Sequence, residues 1–226
     1  MNDAISVVIP CFNGKKYILD SLNSVQAEDD IIGEILVVDD ASTDDSAAYV
    51  EGLRFPKVKL HKLASNRGIA GARNAALAMA SCPYIAFLDA DDLWTKGRSK
   101  ALMAAAHESH TPWAFGAIEH FISADYAGEA DYAVPTVQAG YFAGSMLVEA
   151  GFFRKVGSFD ETIRVGEFID WYDRALHIAP APALLEQVVL QRRIHGANTS
   201  IVAGNLHARD YLKVARRAIL RKRNRE

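Results

Sequence analysis

Short apolar runs alternate with helix-patterned segments over the first ninety residues, and this alternation limits the chain to few architectures. Residues 5–10 (ISVVIP) form a β-branched run closed by a proline. Residues 15–26 then carry Tyr17, Ile18, Leu22 and Val25 at helical spacing. A second run at 34–38 (EILVV) is followed by Asp39-Asp40-Ala41-Ser42-Thr43-Asp44-Asp45, where Ser42 or Thr43 can cap a helix with acids in its first turn. Residues 58–60 are a third strand, 68–80 an alanine-rich helix and 84–88 a fourth strand. Such alternation implies an α/β fold with a mostly parallel sheet, right-handed crossovers and helices on both faces. Beyond Leu102 the pattern loosens. Residues 113–123 read as a strand, 124–138 as a polar loop, 149–156 and 167–178 as helices, and 184–194 as a long strand.

The fourth strand carries the strongest chemical signal. Tyr84-Ile85-Ala86-Phe87-Leu88 runs into Asp89-Ala90-Asp91-Asp92, three acids in four residues. Carboxylates held together repel unless a cation sits between them. The carboxyl end of a parallel strand is also where open α/β sheets bind ligands. The run therefore reads as a Mg²⁺ or Mn²⁺ site facing a phosphate-bearing substrate. The bland alternative is a helix start, with Asp91 or Asp92 capping a helix through 95–107.

At 226 residues the chain suits one substantial α/β domain. No repeat, low-complexity tract or interdomain linker is evident. We divide it into a domain over 1–204, with a nucleotide-binding half at about 1–105 and an acceptor half at about 106–204, and a basic segment over 205–226. The formal net charge of −3 argues against a nucleic-acid partner. No apolar stretch is long enough to cross a bilayer, and the start lacks the basic region of a signal peptide. Cys11 and Cys82 are the only cysteines. They read as free thiols in a reducing compartment, so a cytoplasmic location is expected. Arg209, Lys213, Arg216, Arg217, Arg221, Lys222, Arg223 and Arg225 interleave with apolar residues at helical spacing. This basic amphipathic helix can touch the inner face of an anionic membrane or pack against the body.

Six ordered motifs together resemble the family 2 inverting glycosyltransferases of GT-A fold, from Ile5 to about Ser200. They are SVVIPCFNG at 6–14, VVDDASTDDS at 37–46, NRGIAGARNAAL at 66–77, YIAFLDADD at 84–92, VGSFDE at 156–161 and RRIHGANTS at 192–200. The resemblance implies transfer of a sugar from a nucleoside diphosphate sugar, UDP-linked, to an acceptor hydroxyl of a glycan, lipid-linked or small molecule. It implies that Pro10 and Phe12 flank the base and that Asp40 accepts the uracil N–H, with Asp39 structural. Arg67 or Arg73 would reach the nucleotide, from a glycine-containing loop whose helix N-terminus favours anions, or would serve at the surface or in helix packing. Asp89 and Ala90 would meet the ribose. Asp91, with Asp92 and His195, would hold Mn²⁺ or Mg²⁺, or His195 would hydrogen-bond a phosphate. Donor choice would rest on Gly144-Ser145-Met146 and acceptor choice on 124–138.

One departure stands out. The family base is the Asp of a Glu-Asp pair opening a late helix, and Phe168 takes its position in Gly166-Glu167-Phe168-Ile169-Asp170-Trp171. Glu167 and Asp170 share a helix face, and Asp170 is expected as base with Glu167 as neighbour or substitute. Asp170 can equally pair with Arg174, and Trp171 can stack on an acceptor sugar or sit in the core. Phe168 also raises a second possibility, a sugar-nucleotide binder without turnover. A nucleotidyltransferase would want a glycine- and base-rich loop after the first strand, and a nicotinamide oxidoreductase clustered glycines there. Cys11-Phe12-Asn13-Gly14-Lys15 fits neither.

Overall fold

The structure, a computed structural model, describes residues 3–28, 30–126, 137–196, 198 and 208–223. In the first half, β1 (Ile5–Cys11), α1 (Ile18–Gln26), β2 (Ile32–Asp39), α2 (Ser46–Gly52), β3 (Val58–Lys62), α3 (Gly68–Met79) and β4 (Tyr84–Phe87) alternate as expected. A two-residue strand, β5 (Leu93–Trp94), and α4 (Arg98–Glu108) follow. The second half contributes β6 (Trp113–Ile122), β7 (Val137–Gln138), a short 3-10 turn (Ala143–Ser145), β8 (Met146–Glu149), α5 (Ala150–Val156), α6 (Glu167–Leu176), β9 (Ala183–Ile194) and α7 (Ala208–Arg223).

All described strands join one sheet in the order β3-β2-β1-β4-β8-β6-β9-β5, with β7 paired to β6. The β3-β2-β1-β4 part is parallel. The inserted β8 runs antiparallel to both β4 and β6, and β9 runs parallel to β6. The second half, loosely patterned in sequence, thus extends the same sheet. The β6–β9 ladder slips at Gly116 and Ala117. A Cβ on Gly116 would lie 2.4 Å from Val189 Cγ1, so only glycine lets β9 cross there.

Each face of the sheet carries a core. Ile5, Val7, Ile9, Ile18, Leu22, Val50, Leu102 and Leu147 form one, covered by α1, α2 and α4. Val8, Leu36, Val38, Phe87, Trp113, Phe115, Phe153, Phe168 and Trp171 form the other, covered by α3, α5 and α6. Trp171 is fully buried, stacks on Phe153 at 4.7 Å and donates Nε1–H to the Gly157 carbonyl at 3.0 Å. The core reading of Trp171 therefore holds, and it offers no platform to an acceptor sugar. Gly144, Ser145 and Met146 are also buried, with the Arg98 guanidinium donating to the Gly144 and Met146 carbonyls. They line the core instead of an open donor pocket.

Two helix starts differ from expectation. Asp91 and Asp92 do not cap α4, because Leu93 and Trp94 first extend to pair with Leu190 and Gln191 of β9. The α4 cap is Glu28, whose carboxylate accepts from the Gly97 and Ser99 amides. Neither Ser42 nor Thr43 caps α2. Ser42 Oγ accepts from the Asn13 amide at 2.9 Å, and the Thr43 amide donates to Asn13 Oδ1 at 2.9 Å. Asn13, at φ 52°, thereby ties the loop after β1 to the loop after β2. Most of the 124–138 loop and both ends of the 205–226 segment lie outside the described residues. Within the described residues, that segment is helix α7 packed on α6. No helix among the described residues is long and apolar enough to cross a membrane.

Candidate active site at the carboxyl edge of the sheet

Parallel pairing places the ends of β1, β2 and β4 along one edge. Cys11 faces Asp39 and Val8 faces Phe87, so Phe12, Asp40 and the acid run emerge together. Pro10 is the penultimate residue of β1, and the Phe12 ring is half exposed beside it. Both expected base-flanking residues are at the edge.

The Asp40 carboxylate is already engaged. It accepts from the Arg67 amide at 2.7 Å and the Gly68 amide at 2.8 Å, clamping the loop that enters α3. Burial raises its pKa against those two hydrogen bonds. Asp39, expected to be purely structural, takes the Ser42 amide on Oδ2 at 3.1 Å, while its buried Oδ1 has no partner among the described residues. A buried acceptor without a donor is costly, and a ligand N–H would satisfy it. Ala41, between this pair and the α2 loop, sits at φ 57°.

The three acids of the run diverge. Asp89 Oδ1 accepts from Arg73 Nη2 at 2.7 Å. Asp91 Oδ2 lies 2.9 Å from His195 Nε2 and 3.4 Å from Asn198 Nδ2. Asp92 turns the other way and accepts the Arg193 amide on Oδ1 at 2.9 Å. Among the described residues, no three His, Cys, Asp or Glu side chains converge as a metal cage. Of the expected set, Asp91 and His195 lie together, whereas the Asp92 carboxylate is turned away from them. Asp92 fastens β9 because its carboxylate is buried where an edge amide needs an acceptor. Burial, then repulsion from Asp89, raises the Asp91 pKa; burial and both neighbouring acids hold Asp92 well above its usual range. The Ala90 and Asp92 carbonyls lie 2.9 and 2.7 Å from the Ser21 hydroxyl, which ties the run to α1.

The Arg73 guanidinium turns inward, between the acid run and α6. It is buried, and its second nitrogen, Nη1, donates to Glu167 Oε1 at 2.6 Å. Glu167 therefore connects through one guanidinium to the acid run. Its pKa is raised by burial, with Arg73 opposing. Arg67 is directed outward and forms a bidentate pair with Glu161.

Asp170 does not reach this edge. It is buried between α6 and α7, accepting from Arg174 Nε at 3.0 Å and Arg221 Nη2 at 2.6 Å. Held by two arginines between α6 and α7, with no link to the acid run, Asp170 is not placed to take a proton at this edge, so the expectation of Asp170 as base is corrected. Phe168 is packed against Phe115, Trp171 and Tyr172.

Sequence reasoning did not single out Tyr17, Arg193 and Asn198. The Tyr17 ring centroid is 4.7 Å from that of His195, and the Arg193 guanidinium lies 4.6 Å over Tyr17. Arg193 also donates to Asp20 and to the Asp91 carbonyl. Asn198 Oδ1 accepts from the His195 amide, and its Nδ2 donates to the Arg193 carbonyl at 3.0 Å. Tyr17 was masked by its place in an apolar helical stripe. Asn198 carried a signal, because Asn three residues after His can fold back on the backbone.

Residues 6–148 match the model of the family described as Glycosyl transferase family 2. The succinoglycan biosynthesis protein ExoU of Rhizobium meliloti (strain 1021) is 32% identical over 199 residues, covering 76% of this chain and 56% of that protein. The putative teichuronic acid biosynthesis glycosyltransferase TuaG of Bacillus subtilis (strain 168) is 38% identical over 96 residues, 42% of this chain and 38% of that one. The chain thus spans about half or less of the length of these relatives. The crystal structure of Staphylococcus aureus TarS 1–349 in complex with UDP-GlcNAc superposes with a TM-score of 0.75 at 22% identity, covering 96% of this chain and 66% of that one. The matched motifs, the shared GT-A fold and the acid run at the sheet edge agree. The chain belongs to glycosyl transferase family 2.

Proposed function

We propose that the protein transfers a sugar from a UDP-linked donor to an acceptor hydroxyl, inverting the anomeric centre, with Mn²⁺ or Mg²⁺ bound. The observation that carries this reading is the Asp89–Arg73–Glu167 chain, which joins the donor edge to an acid opening a late helix. Asp39 and Asp40 border the base pocket beside Phe12, and the unpaired Asp39 Oδ1 suits the imide N–H of uracil better than the engaged Asp40. TarS, whose fold this chain shares, has been crystallised with UDP and with UDP-GlcNAc, and the relative WfgD of Escherichia coli is a UDP-Glc:alpha-D-GlcNAc-diphosphoundecaprenol glucosyltransferase. These relatives favour UDP as the nucleotide and a lipid-linked acceptor among the three classes.

The residues present fit a divalent ion that shares its coordination with a substrate. A carboxylate and an imidazole 2.9 Å apart, crowded by two further acids, suit an ion whose other ligands are diphosphate oxygens and water. That ion would stabilise charge on the departing diphosphate. Glu167 takes the acceptor proton. Its upward-shifted carboxyl is a better match to neutral working pH than an ordinary Glu, and such bases contribute about 10²–10⁴-fold. Arg73 orients Glu167, Tyr17 packs on the His195 ring and Asn198 holds the His195 backbone amide. The free thiols are consistent with the cytoplasm as the site of reaction.

Phe168 favours one alternative, a donor-binding protein without turnover. Calorimetry with UDP-sugars, with and without Mn²⁺, combined with donor turnover separates the two. Metal-dependent turnover lost in Glu167→Gln, with UDP affinity kept, supports the transferase. Tight binding with no turnover in the parent chain refutes it.

A further inference from the structure

We propose that the outward face of α7 is a docking surface for an anionic lipid bilayer. The inference is independent of the transferase reading, because it rests on how α7 is held.

The helix is fixed in rotation by its inner side. Val214 is buried against the body, and Lys213 Nζ donates to the Thr162 carbonyl at 3.1 Å. Arg217 pairs with Asp160 at 2.5 Å, and Arg221 bridges Asp173 and Asp170 at 2.6 Å each. Asp210 accepts from the Arg164 and Val165 amides at 2.9 and 3.2 Å. Positions 210, 213, 214, 217 and 221 therefore define the docked side, and at 100° per residue the opposite side is determined.

On that opposite side Leu212 and Ile219 lie on one line, 70% and 60% exposed. Arg216 and Arg223 lie within about half a helical quadrant of the line, with Arg209 and Lys222 beyond them. All four cations are solvent-exposed, and the described outward positions carry no acid. The one acid within α7, Asp210, is used on the inner side. Folding explains the inner cations, which have acidic partners. It does not explain two aliphatic side chains held in water among four cations.

A bilayer surface rich in anionic headgroups accounts for both. The cations gain from the negative surface potential, at a few-fold in affinity per charge, while the aliphatic pair enters the boundary between headgroups and acyl chains. A second copy of this face is a poor occupant, since four cations would meet four cations. A nucleic acid would satisfy the charges and leave Leu212 and Ile219 in water.

The test is co-sedimentation of the full chain with phosphatidylcholine vesicles, with and without phosphatidylglycerol. We expect binding to the anionic vesicles alone, weakening as salt rises. Arg216→Glu/Arg223→Glu and Leu212→Glu/Ile219→Glu should each weaken it roughly tenfold or more. Thermal melting should stay unchanged, because none of these residues faces the body. Leu212→Trp should show blue-shifted emission on anionic vesicles. Absence of vesicle binding, equal binding to neutral vesicles, parent-like binding by either double variant, or an unshifted Trp spectrum overturns the proposal. So does duplex DNA binding of equal strength that survives the Leu212→Glu/Ile219→Glu change, which would mark a general polyanion surface.

Discussion

Replacing Arg73 with Met separates two carboxylates from their shared cation. Arg73 is fully buried, Glu167 is 8% exposed in its side chain and Asp89 39%. Asp89 can turn to solvent once released, so it adds little. Glu167 cannot, and removing one partner of a buried pair costs about 3–5 kcal/mol. Two effects reduce the loss. Met replaces the aliphatic stem and part of the space by the Phe87 and Phe159 rings, 5.9 and 5.8 Å from the guanidinium carbon, and the change removes the Arg73 Nε, which is buried without a partner among the described residues. We therefore expect about 3 kcal/mol lost near neutral pH. The sign with pH follows from protonation. Without Arg73, burial and the Asp89 charge act on Glu167 with less opposition and raise its folded pKa further above the unfolded value. The penalty is then absent below the unfolded pKa and grows as pH rises towards the folded one. Urea unfolding of parent and Arg73→Met at about pH 5 and about pH 8 reads this as a gap that widens with pH, by 1.36 kcal/mol per unit of added shift. The acid limb of transfer activity should move upward in the same variant. A stability loss below about 1 kcal/mol, or one that is the same at both pH values, refutes the claim that Arg73 holds Glu167 charged.

Two further predictions concern the scaffold. Glu34 is buried at the far end of the sheet, hydrogen-bonded by Ser6, Ser81 and Lys59, which bring its pKa down to about 2. Glu34→Gln should cost about 2–3 kcal/mol at neutral pH, and the parent should lose this same contribution as pH falls from about 4.5 towards 2, read by acid-unfolding curves. Ala41 at φ 57° carries a left-handed strain of about 1–2 kcal/mol, partly offset by the entropy a glycine adds to the unfolded chain. Ala41→Gly should raise the Tm slightly, by up to about 1 kcal/mol of stability, and a lowered Tm would contradict it.

Much of the first half was legible because its strands and helices follow local apolar patterning. β8 was not, since a four-residue strand preceding a helix leaves no periodic trace. The acid run was legible as a site, but its three directions were not. They depend on Arg73, on Arg193 and on His195, and the last two lie about a hundred residues away in sequence. The misplacement of Asp170 has the same origin. Helical spacing puts it near Glu167, yet the arginine that claims it, Arg221, comes fifty-one residues later. Local pattern reports which residues share an element, whereas the partner each one selects is a property of the closed fold.

The divergence of Asp89, Asp91 and Asp92 has a practical consequence for mutagenesis. Each acid anchors a separate part of the molecule: the guanidinium bridge to α6, the histidine turn, and the backbone of the last strand. An alanine scan across the run would therefore detach three different joints, and equal losses of activity would arise from unrelated causes. A change at Asp91 bears on the proposed ion, but it also releases His195 and Asn198.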